Sequence, residues 1–213
     1  MSSSLLIQTK PERYHHGNLK NSLLEAAREL ATEVGVDNFT LREVARRANV
    51  SPAAPYHHFI DKQDLIRTLA IEAFIKLTTA LSNAKQKKRK PIEQLEDIGV
   101  AYVMFAYTHQ AEFRFMFRRE LCAAIGKPDP LEVAGIDAQS VLHNTILEAQ
   151  AAKQIIQHDP KNIALTLWSV VHGLSVIINE SPISKTTTAQ SAKQMAQIVI
   201  RQNIQGLHIP NPD

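Results

Sequence analysis

TLREVARRANVSPAAPYHHFIDKQD, residues 40–64, is the stretch that decides how the chain folds. Thr40 stands three residues before Glu43, and this spacing matches a capping box, in which each side chain binds the other residue's backbone N–H. Apolar residues then recur every three or four positions, which predicts a short helix from Leu41 to Ala48. Asn49 tolerates a left-handed backbone, so the pattern predicts a tight turn directly after this helix.

A second helix and then a third are predicted behind the turn. Ser51 is a preferred N-cap residue and the proline after it suits the first helical position, so a helix is expected from Pro52 to Phe59. Asp61 is a further N-cap, and the helical pattern behind it is long, from Lys62 to about Ala84. Two short helices around a tight turn are typical of a helix-turn-helix, whose second helix enters the major groove of DNA.

Composition places the chain among globular proteins that do not cross a membrane. Its 213 residues are 44% hydrophobic, which is enough for one small and one larger domain. The net charge is only +3, so any nucleic-acid binding must come from local clustering of charge. The single cysteine suits a reducing compartment. The N-terminus does not resemble a secretory signal, and the longest apolar region, Ala164 to Ile178, is too short to span a bilayer. We therefore expect a soluble, cytoplasmic protein without a membrane partner.

The rest of the chain keeps a helical periodicity, and no alternating strand pattern occurs in it. Aspartate-proline pairs at residues 129–130 and 159–160 predict helix starts, because aspartate caps a helix and proline fits its first position. With a first helix that ends before Gly35, the pattern predicts an all-α chain of about nine helices. The other predicted helices are Ile92–Tyr107, Ala111–Ala124, Pro130–Lys153, Pro160–Glu180 and Thr188–Gly206.

An ordered set of residues extends the pattern beyond a bare helix-turn-helix: Leu23, Ala26, Ala27, Leu30, Gly35, Phe39, Thr40, Val44, Ala45, Ala48, Val50, Ser51, Tyr56, His58, Phe59, Lys62 and Leu65. With them, the chain from about His16 to Leu69 resembles the N-terminal domain of the tetracycline-repressor-like (TetR) family of bacterial transcription regulators. The resemblance implies a sequence-specific regulator, commonly a ligand-released repressor that acts as a homodimer on a near-palindromic operator. We predict a flexible basic arm over residues 1–15, a three-helix helix-turn-helix domain over 16–62, and a larger helical effector-binding and dimerisation domain over 63–213.

The resemblance also implies which residues contact the operator, a double-stranded DNA partner. Two departures from the usual family pattern stand out. Ala53-Ala54-Pro55 replaces Gly-Thr/Ser-Leu, and His57 replaces a second tyrosine. Because proline lacks an N–H, Pro55 predicts a distorted turn in the recognition helix. Because these replacements leave fewer hydroxyls to hydrogen-bond with bases, contacts to thymine methyl groups and DNA shape should contribute more to operator recognition. The implied contact residues are Thr40, Arg42, Pro52, Ala53, Ala54, Tyr56, His57 and Lys62.

A second pattern lies in the C-terminal part, where Trp168, Val171, His172 and Gly173 resemble the Trp-His-Gly signature of one subgroup of the family. The resemblance implies a homodimer through the last two helices and a pocket for a small-molecule effector. Few charges lie on these helix faces, which favours an apolar or aromatic effector. Aromatic stripes on helices are usually plain core, so core and pocket both stay open for the candidate residues Phe105, His109, Phe113, Met116, Phe117, Cys122, Trp168 and His172.

The basic run KQKKRK, residues 85–90, has three interpretations. It is a solvated interdomain linker, or it attracts DNA phosphates at long range, or it serves nuclear targeting or a membrane surface. The linker is the simplest of these.

No motif for catalysis stands out. The chain lacks a Gly-x-Ser-x-Gly elbow, a glycine-rich phosphate loop and a Cys-x-x-Cys pair. Its adjacent histidine pairs, residues 15–16 and 57–58, diverge on a helix and cannot share a metal ion as an i,i+4 pair can. We therefore expect no enzyme, no catalytic residue, no metal and no cofactor. The alternatives left open are a DNA-binding architectural protein without an effector and a metal-dependent sensor or enzyme.

Overall fold

The computed structural model describes residues 19–85, 89–118, 121 and 129–207. Every regular element within these ranges is a helix, with eight α-helices and short 3-10 helices between them. The all-α prediction of about nine helices is confirmed. The chain divides into two compact units, with the boundary between Lys62 and Gln63. The predicted basic arm, residues 1–15, lies outside the described residues.

From residue 19 onward, the first unit is built from two α-helices and one 3-10 helix. α1 is Leu19–Val34 and ends at Gly35, whose φ of +88° is a left-handed value that favours glycine. α2 is Leu41–Arg47, and Asn49 makes the predicted tight turn with a φ of 56°. The core of this unit comprises the apolar faces of the two helices and the aromatic residues that flank α2 and the 3-10 helix: Leu23, Leu24, Ala27, Phe39, Val44 and Phe59.

The predicted helix from Pro52 to Phe59 is wrong in length and in type. The structure has a 3-10 helix there, Ala54–His57, only four residues long. Its backbone bonds reach three residues back, as when the N–H of Tyr56 donates to the carbonyl oxygen of Ala53 at 3.2 Å. Because Pro55 has no N–H, the first regular bond of an α-helix cannot form here, and the tighter 3-10 turn replaces it.

The central helix of the second unit is α4, Pro91–Thr108, which packs against the later helices α6, α7 and α8. The helix before it, α3, is Lys62–Ala84 and begins at the last residue of the first unit. The remaining elements are α5 (Gln110–Met116), α6 (Pro130–Ala151), α7 (Pro160–Glu180), a 3-10 helix (Pro182–Lys185) and α8 (Ala189–Gln205).

The predicted starts of three helices of this unit are confirmed. Asp129, Asp159 and Thr188 each accept a hydrogen bond from a backbone N–H in the first turn of α6, α7 and α8. Such caps satisfy N–H groups that have no partner inside the helix. Local sequence chemistry therefore placed these three helix starts correctly.

Two helix ends differ from the prediction. α5 stops at Met116 instead of continuing to Ala124, because Phe117 leaves the helical conformation with φ −112° and ψ 23°. α6 stops at Ala151, and Lys153 takes a left-handed φ of 56° just beyond it. No glycine marks either end, so the sequence carried no strong stop signal there.

α7 is, by length and apolar composition, the one helix of the described residues that could cross a membrane, with a mean hydropathy of 1.4. The apolar region named in the sequence, Ala164 to Ile178, lies inside this helix, which has 21 residues. This is weak support for a membrane span, because core helices of globular proteins pass the same test. α7 packs against α4, α6 and α8 and contributes to their shared core.

Candidate functional site

The start of α2 is held by the predicted capping box. The hydroxyl of Thr40 accepts from the backbone N–H of Glu43 at 3.2 Å, and the Thr40 N–H donates to the Glu43 carboxylate at 2.7 Å. The Thr40 hydroxyl also donates to that carboxylate at 2.9 Å. These bonds from the Thr40 side chain and backbone lower the pKa of Glu43. A phosphate contact by Thr40 would therefore have to draw its hydroxyl hydrogen away from Glu43.

Six of the eight predicted DNA-contact side chains are exposed: Thr40, Arg42, Pro52, Ala53, Tyr56 and His57. Thr40 belongs to the capping box, and we call the other five residues the exposed set. Tyr56 is 56% exposed although its ring is large and largely apolar. Arg42 has no side-chain partner among the described residues. Ala54 is the exception to the expectation, because it is only 8% exposed and is buried with Pro55 in the 3-10 turn.

Lys62, a further predicted contact, is bound within the first unit. Its ammonium donates to the carbonyl oxygen of Asp37 at 3.0 Å and lies 4.4 Å from the centre of the Phe39 ring. Both contacts favour a fixed position for the charge. A phosphate could share this ammonium, which has three donors, without displacing the carbonyl.

Arg47 has a role that the sequence analysis missed. Its guanidinium pairs with Glu29 at 3.0 Å and with Glu33 at 2.5 Å, both on α1. The hydrogen bond from Arg47 lowers the pKa of Glu33. The pairs tie the end of α2 to α1, and only the helix-to-helix register, which sequence alone does not reveal, brings them together.

The second unit contains a cavity of about 680 Å³. Its walls come from α3, α4, α6, α7 and α8, together with Phe117 after α5. Most of the lining is aliphatic or aromatic. The lining residues are Phe74, Leu77, Leu81, Leu95, Ile98, Gly99, Tyr102, Phe117, Gly135, Ile136, Ala138, Gln139, Ser140, Leu142, His143, Lys161, Ala164, Leu165, Leu167, Trp168, Val170, Val171, Ile200 and Asn203.

The predicted effector residues fall into three groups. Phe117 and Trp168 line the cavity. Cys122 lies outside the described residues. The other five do not belong to the lining: Phe105, His109, Phe113, Met116 and His172. Phe105 and His109, for example, stack on each other with ring centroids 4.7 Å apart.

Three side chains at the cavity wall are joined by hydrogen bonds: Tyr102 and Trp168 line the cavity, and His172 packs behind them. The Tyr102 hydroxyl lies 3.0 Å from Nδ1 of His172, and Nε1–H of Trp168 donates to the same hydroxyl at 3.4 Å. Burial raises the pKa of Tyr102, partly offset by the bond from Trp168. Burial also lowers the pKa of His172, against the opposing charge of Glu180. These two shifts favour the uncharged forms of Tyr102 and His172.

His172 is surrounded by aromatic rings. The centroid of Phe117 lies 4.5 Å from that of His172, and the centroids of Phe113 and Trp168 each lie 5.5 Å away. Edge-to-face and tilted arrangements of this kind are favourable. The cluster explains why His172 is held behind the lining while its neighbour Trp168 reaches the cavity.

Two of the three described cations of the basic run, Lys85 and Arg89, are paired within the second unit, and the third, Lys90, is exposed. Lys85 contacts Glu148 at 2.7 Å, and Arg89 contacts Asp97 at 2.8 Å and Glu93 at 3.3 Å. Residues 86–88 lie outside the described residues. Pairing of two cations with carboxylates favours the linker interpretation over a free phosphate-attracting patch.

Two family profiles match the chain over most of its length. The profile "Bacterial regulatory proteins, tetR family" matches residues 23–69, and "Tetracyclin repressor-like, C-terminal domain" matches residues 95–201. The chain belongs to the TetR family. It is therefore a DNA-binding transcription regulator of the helix-turn-helix class, and the predicted family is confirmed.

Solved structures of TetR-like proteins share this fold. A protein of unknown function from Rhodococcus sp. RHA1 is 30% identical, with a TM-score of 0.78 over 93% of this chain and 100% of that one. A TetR-family regulatory protein from Rhodococcus RHA1 is 19% identical, with a TM-score of 0.72 over 91% and 98% of the two chains. The SmeT–triclosan complex is 17% identical, with a TM-score of 0.64 over 91% and 93%.

Nothing in the described ranges forms a cluster of three or more histidine, cysteine, aspartate or glutamate side chains suited to a metal ion. The TetR family consists of transcription regulators, which are not enzymes.

Proposed function

We propose that the protein is a ligand-released repressor that acts as a homodimer on a near-palindromic operator. The observation that carries this proposal is the apolar cavity of about 680 Å³ in the second unit of a chain whose first unit is a helix-turn-helix. A cavity of this size suits a small molecule. SmeT, which shares the fold, was solved as a complex with triclosan, so a ligand on this fold has one precedent.

The operator is contacted by the exposed set and by two anchoring residues. Arg42 is placed to bind guanine or phosphate, because its guanidinium is exposed and has no side-chain partner in the described residues. Tyr56 and His57 provide a hydroxyl and an imidazole, while Pro52 and Ala53 suit thymine methyl groups. The anchoring residues are Thr40 and Lys62, whose fixed positions suit contacts to phosphate.

The dimer forms through α7 and α8. Ile177 of α7 and Ile198 of α8 are 50% and 58% exposed in the isolated chain, which is unusual for large apolar side chains of these two helices. A Cβ built at Gly173 would meet no atom within 4 Å, so nothing within the described chain requires glycine there. The close approach of a helix from a second subunit would require glycine at this position. Twofold symmetry would then place two recognition elements about 34–36 Å apart, one turn of DNA.

Effector and operator binding oppose each other. α3 contributes Phe74, Leu77 and Leu81 to the cavity and begins where the first unit ends, so a shift of α3 is the route we propose. An effector that prefers the shifted conformer lowers operator affinity, with a coupling of about 1–3 kcal/mol, and operator lowers effector affinity by the same factor.

Selection of bound fragments from genomic DNA, followed by footprinting, tests the proposal. We expect one near-palindromic site protected by the wild type. The double variant Tyr56→Ala/His57→Ala should lose the footprint and keep its melting temperature, because both side chains are exposed. The matched control Ser82→Ala/Asn83→Ala alters two adjacent exposed residues of α3 and should bind normally. Normal binding by the first variant, or binding without sequence preference, would overturn the proposal and point to an architectural protein.

A further inference from the structure

We infer that the cavity selects an amphipathic anion, an apolar tail that ends in a carboxylate or a similar single negative group. This inference rests on the proposed function, because it names the ligand class of the proposed effector site. It goes beyond an apolar or aromatic effector by assigning the charge of the ligand and the side of the cavity that binds it.

The first observation is the unequal distribution of polar side chains around the cavity. The wall formed by α3 and α4 is deeply buried and almost wholly apolar, with Leu77 and Leu95 each 2% exposed and Ile98 3% exposed. Tyr102 is its one hydroxyl, and that hydroxyl is already bound to His172 and Trp168. This wall can hold a tail but offers no free polar partner for a head group.

Four of the six polar residues in the described lining lie on α6 and the first turn of α7, near the exposed apolar residues Ile136 and Leu165; the other two are Tyr102 of α4 and Asn203 of α8. Unlike the α3–α4 wall, this side of the cavity is half-buried to exposed. A head group bound here would keep part of its hydration while the tail leaves water. The polar lining residues of this side are Gln139, Ser140, His143 and Lys161.

The second observation is the sign of the charge. Lys161 is the only lysine, arginine, aspartate or glutamate among the described lining residues. Its backbone N–H is bound by Asp159 at 2.9 Å, but its ammonium has no partner in the described part of the chain. A cationic ligand would meet this ammonium with no carboxylate to balance it, whereas an anion would gain an ion pair.

Three probes with the same tail and different heads test the inference: decanoate, decanol and decyltrimethylammonium, each below its micellar concentration. Trp168 is the single tryptophan of the chain and lines the cavity, so its fluorescence reports occupancy. We expect decanoate to bind about tenfold more tightly than decyltrimethylammonium at low salt, with decanol between them. Equal or tighter binding of the cation, or no binding of any probe, would overturn the inference.

Lys161→Met keeps the length of the side chain and removes its charge. It should weaken decanoate about fivefold and leave decanol unchanged, since a partly hydrated ion pair contributes only modestly. The control Lys193→Met removes an exposed charge of α8 that does not line the cavity, and it should change neither affinity. If Lys161→Met binds decanoate as the wild type does, the assigned head-group site is wrong.

Operator affinity measured with and without decanoate distinguishes failure of this inference from failure of the proposed function. Decanoate that binds with the expected head-group preference but leaves operator affinity unchanged would uphold the ligand class and refute the ligand-released repressor. If the protein binds its operator specifically but prefers the cationic probe, only the assigned ligand class is refuted.

Discussion

In the first unit, Tyr56 is 56% exposed while Phe59, three residues later, is 2% exposed. In the second unit, the cavity-wall residue Tyr102 is only 6% exposed and bonds to two other side chains. The predicted DNA-contact side chains of the first unit are thus mostly separate from its core, whereas the cavity side chains of the second unit mostly belong to the core. Substitutions should therefore separate function from stability in the first unit and couple them in the second.

The largest expected effect tests that separation within one short segment. Phe59→Ala should lower the free energy of unfolding by about 3–5 kcal/mol, because it removes a buried ring from a small core. Tyr56→Ala should change it by less than about 0.5 kcal/mol while operator binding is lost. Urea unfolding and operator titration measure the two quantities. A Tyr56 variant as unstable as the Phe59 variant would abolish the distinction.

Substitutions of two glycines in the second unit should have effects of intermediate size, one on dimerisation and the other on the stability of α6. Gly173→Leu should oppose dimerisation by about 1–3 kcal/mol, as overpacking of a close contact does, and leave the monomer folded. Sedimentation equilibrium gives the dissociation constant. Gly135 faces the Phe74 ring with ordinary contacts of 3.8 Å from its built Cβ. Gly135→Ala should therefore leave dimerisation unchanged and stabilise α6 by about 1 kcal/mol through helix propensity. An unchanged dimer in Gly173→Leu would exclude the proposed interface.

The two threonine capping boxes provide a matched pair across the units. Thr40 bonds with Glu43 at α2, and Thr188 bonds with Ser191 at α8. Replacing either threonine by alanine should cost about 1 kcal/mol of stability. Only Thr40→Ala should also weaken operator binding beyond that cost, as measured by titration of the folded variants. Equal operator affinity in both variants would remove Thr40 from the DNA contacts.

The smallest effect is a pH dependence of the second unit. Burial lowers the pKa of His172, so the folded state resists a proton that the unfolded chain accepts. Stability should therefore be complete above the ordinary histidine pKa of about 6.5 and decline as pH falls below it. Melting temperatures recorded on both sides of that pH should show the decline in the wild type and a smaller one in His172→Gln. An equal decline in both would assign the effect to other groups.

Local chemistry was predictable from sequence wherever neighbouring residues interact. The capping box at Thr40, the left-handed turn at Asn49 and the cap at Asp159 each depend on a few adjacent residues, and all are present. The recognition helix was predicted too long because the proline at position 55 disrupts more than its first turn. The end of α5 was missed because Phe117 leaves the helix without a glycine or proline to signal it.

The cavity illustrates what periodicity could not resolve. An aromatic stripe marks a buried helix face, but core and cavity lining have the same pattern. Phe117, which directly follows α5, and Trp168 of α7 line the cavity. Phe113 of α5 and His172 of α7 pack behind its wall. Leu77 and Ile98 line the cavity although nothing in their sequence context distinguishes them from plain core.

The sequence by itself determined the helical class, the helix-turn-helix, most helix starts and the family, because these depend on residues a few positions apart. Only the tertiary structure decided that Arg47 joins α2 to α1, that Ala54 is buried, and which side chains of five separate elements enclose one cavity. Those features depend on the register and approach of whole helices, which is set by the packing of many side chains at once and by no single motif.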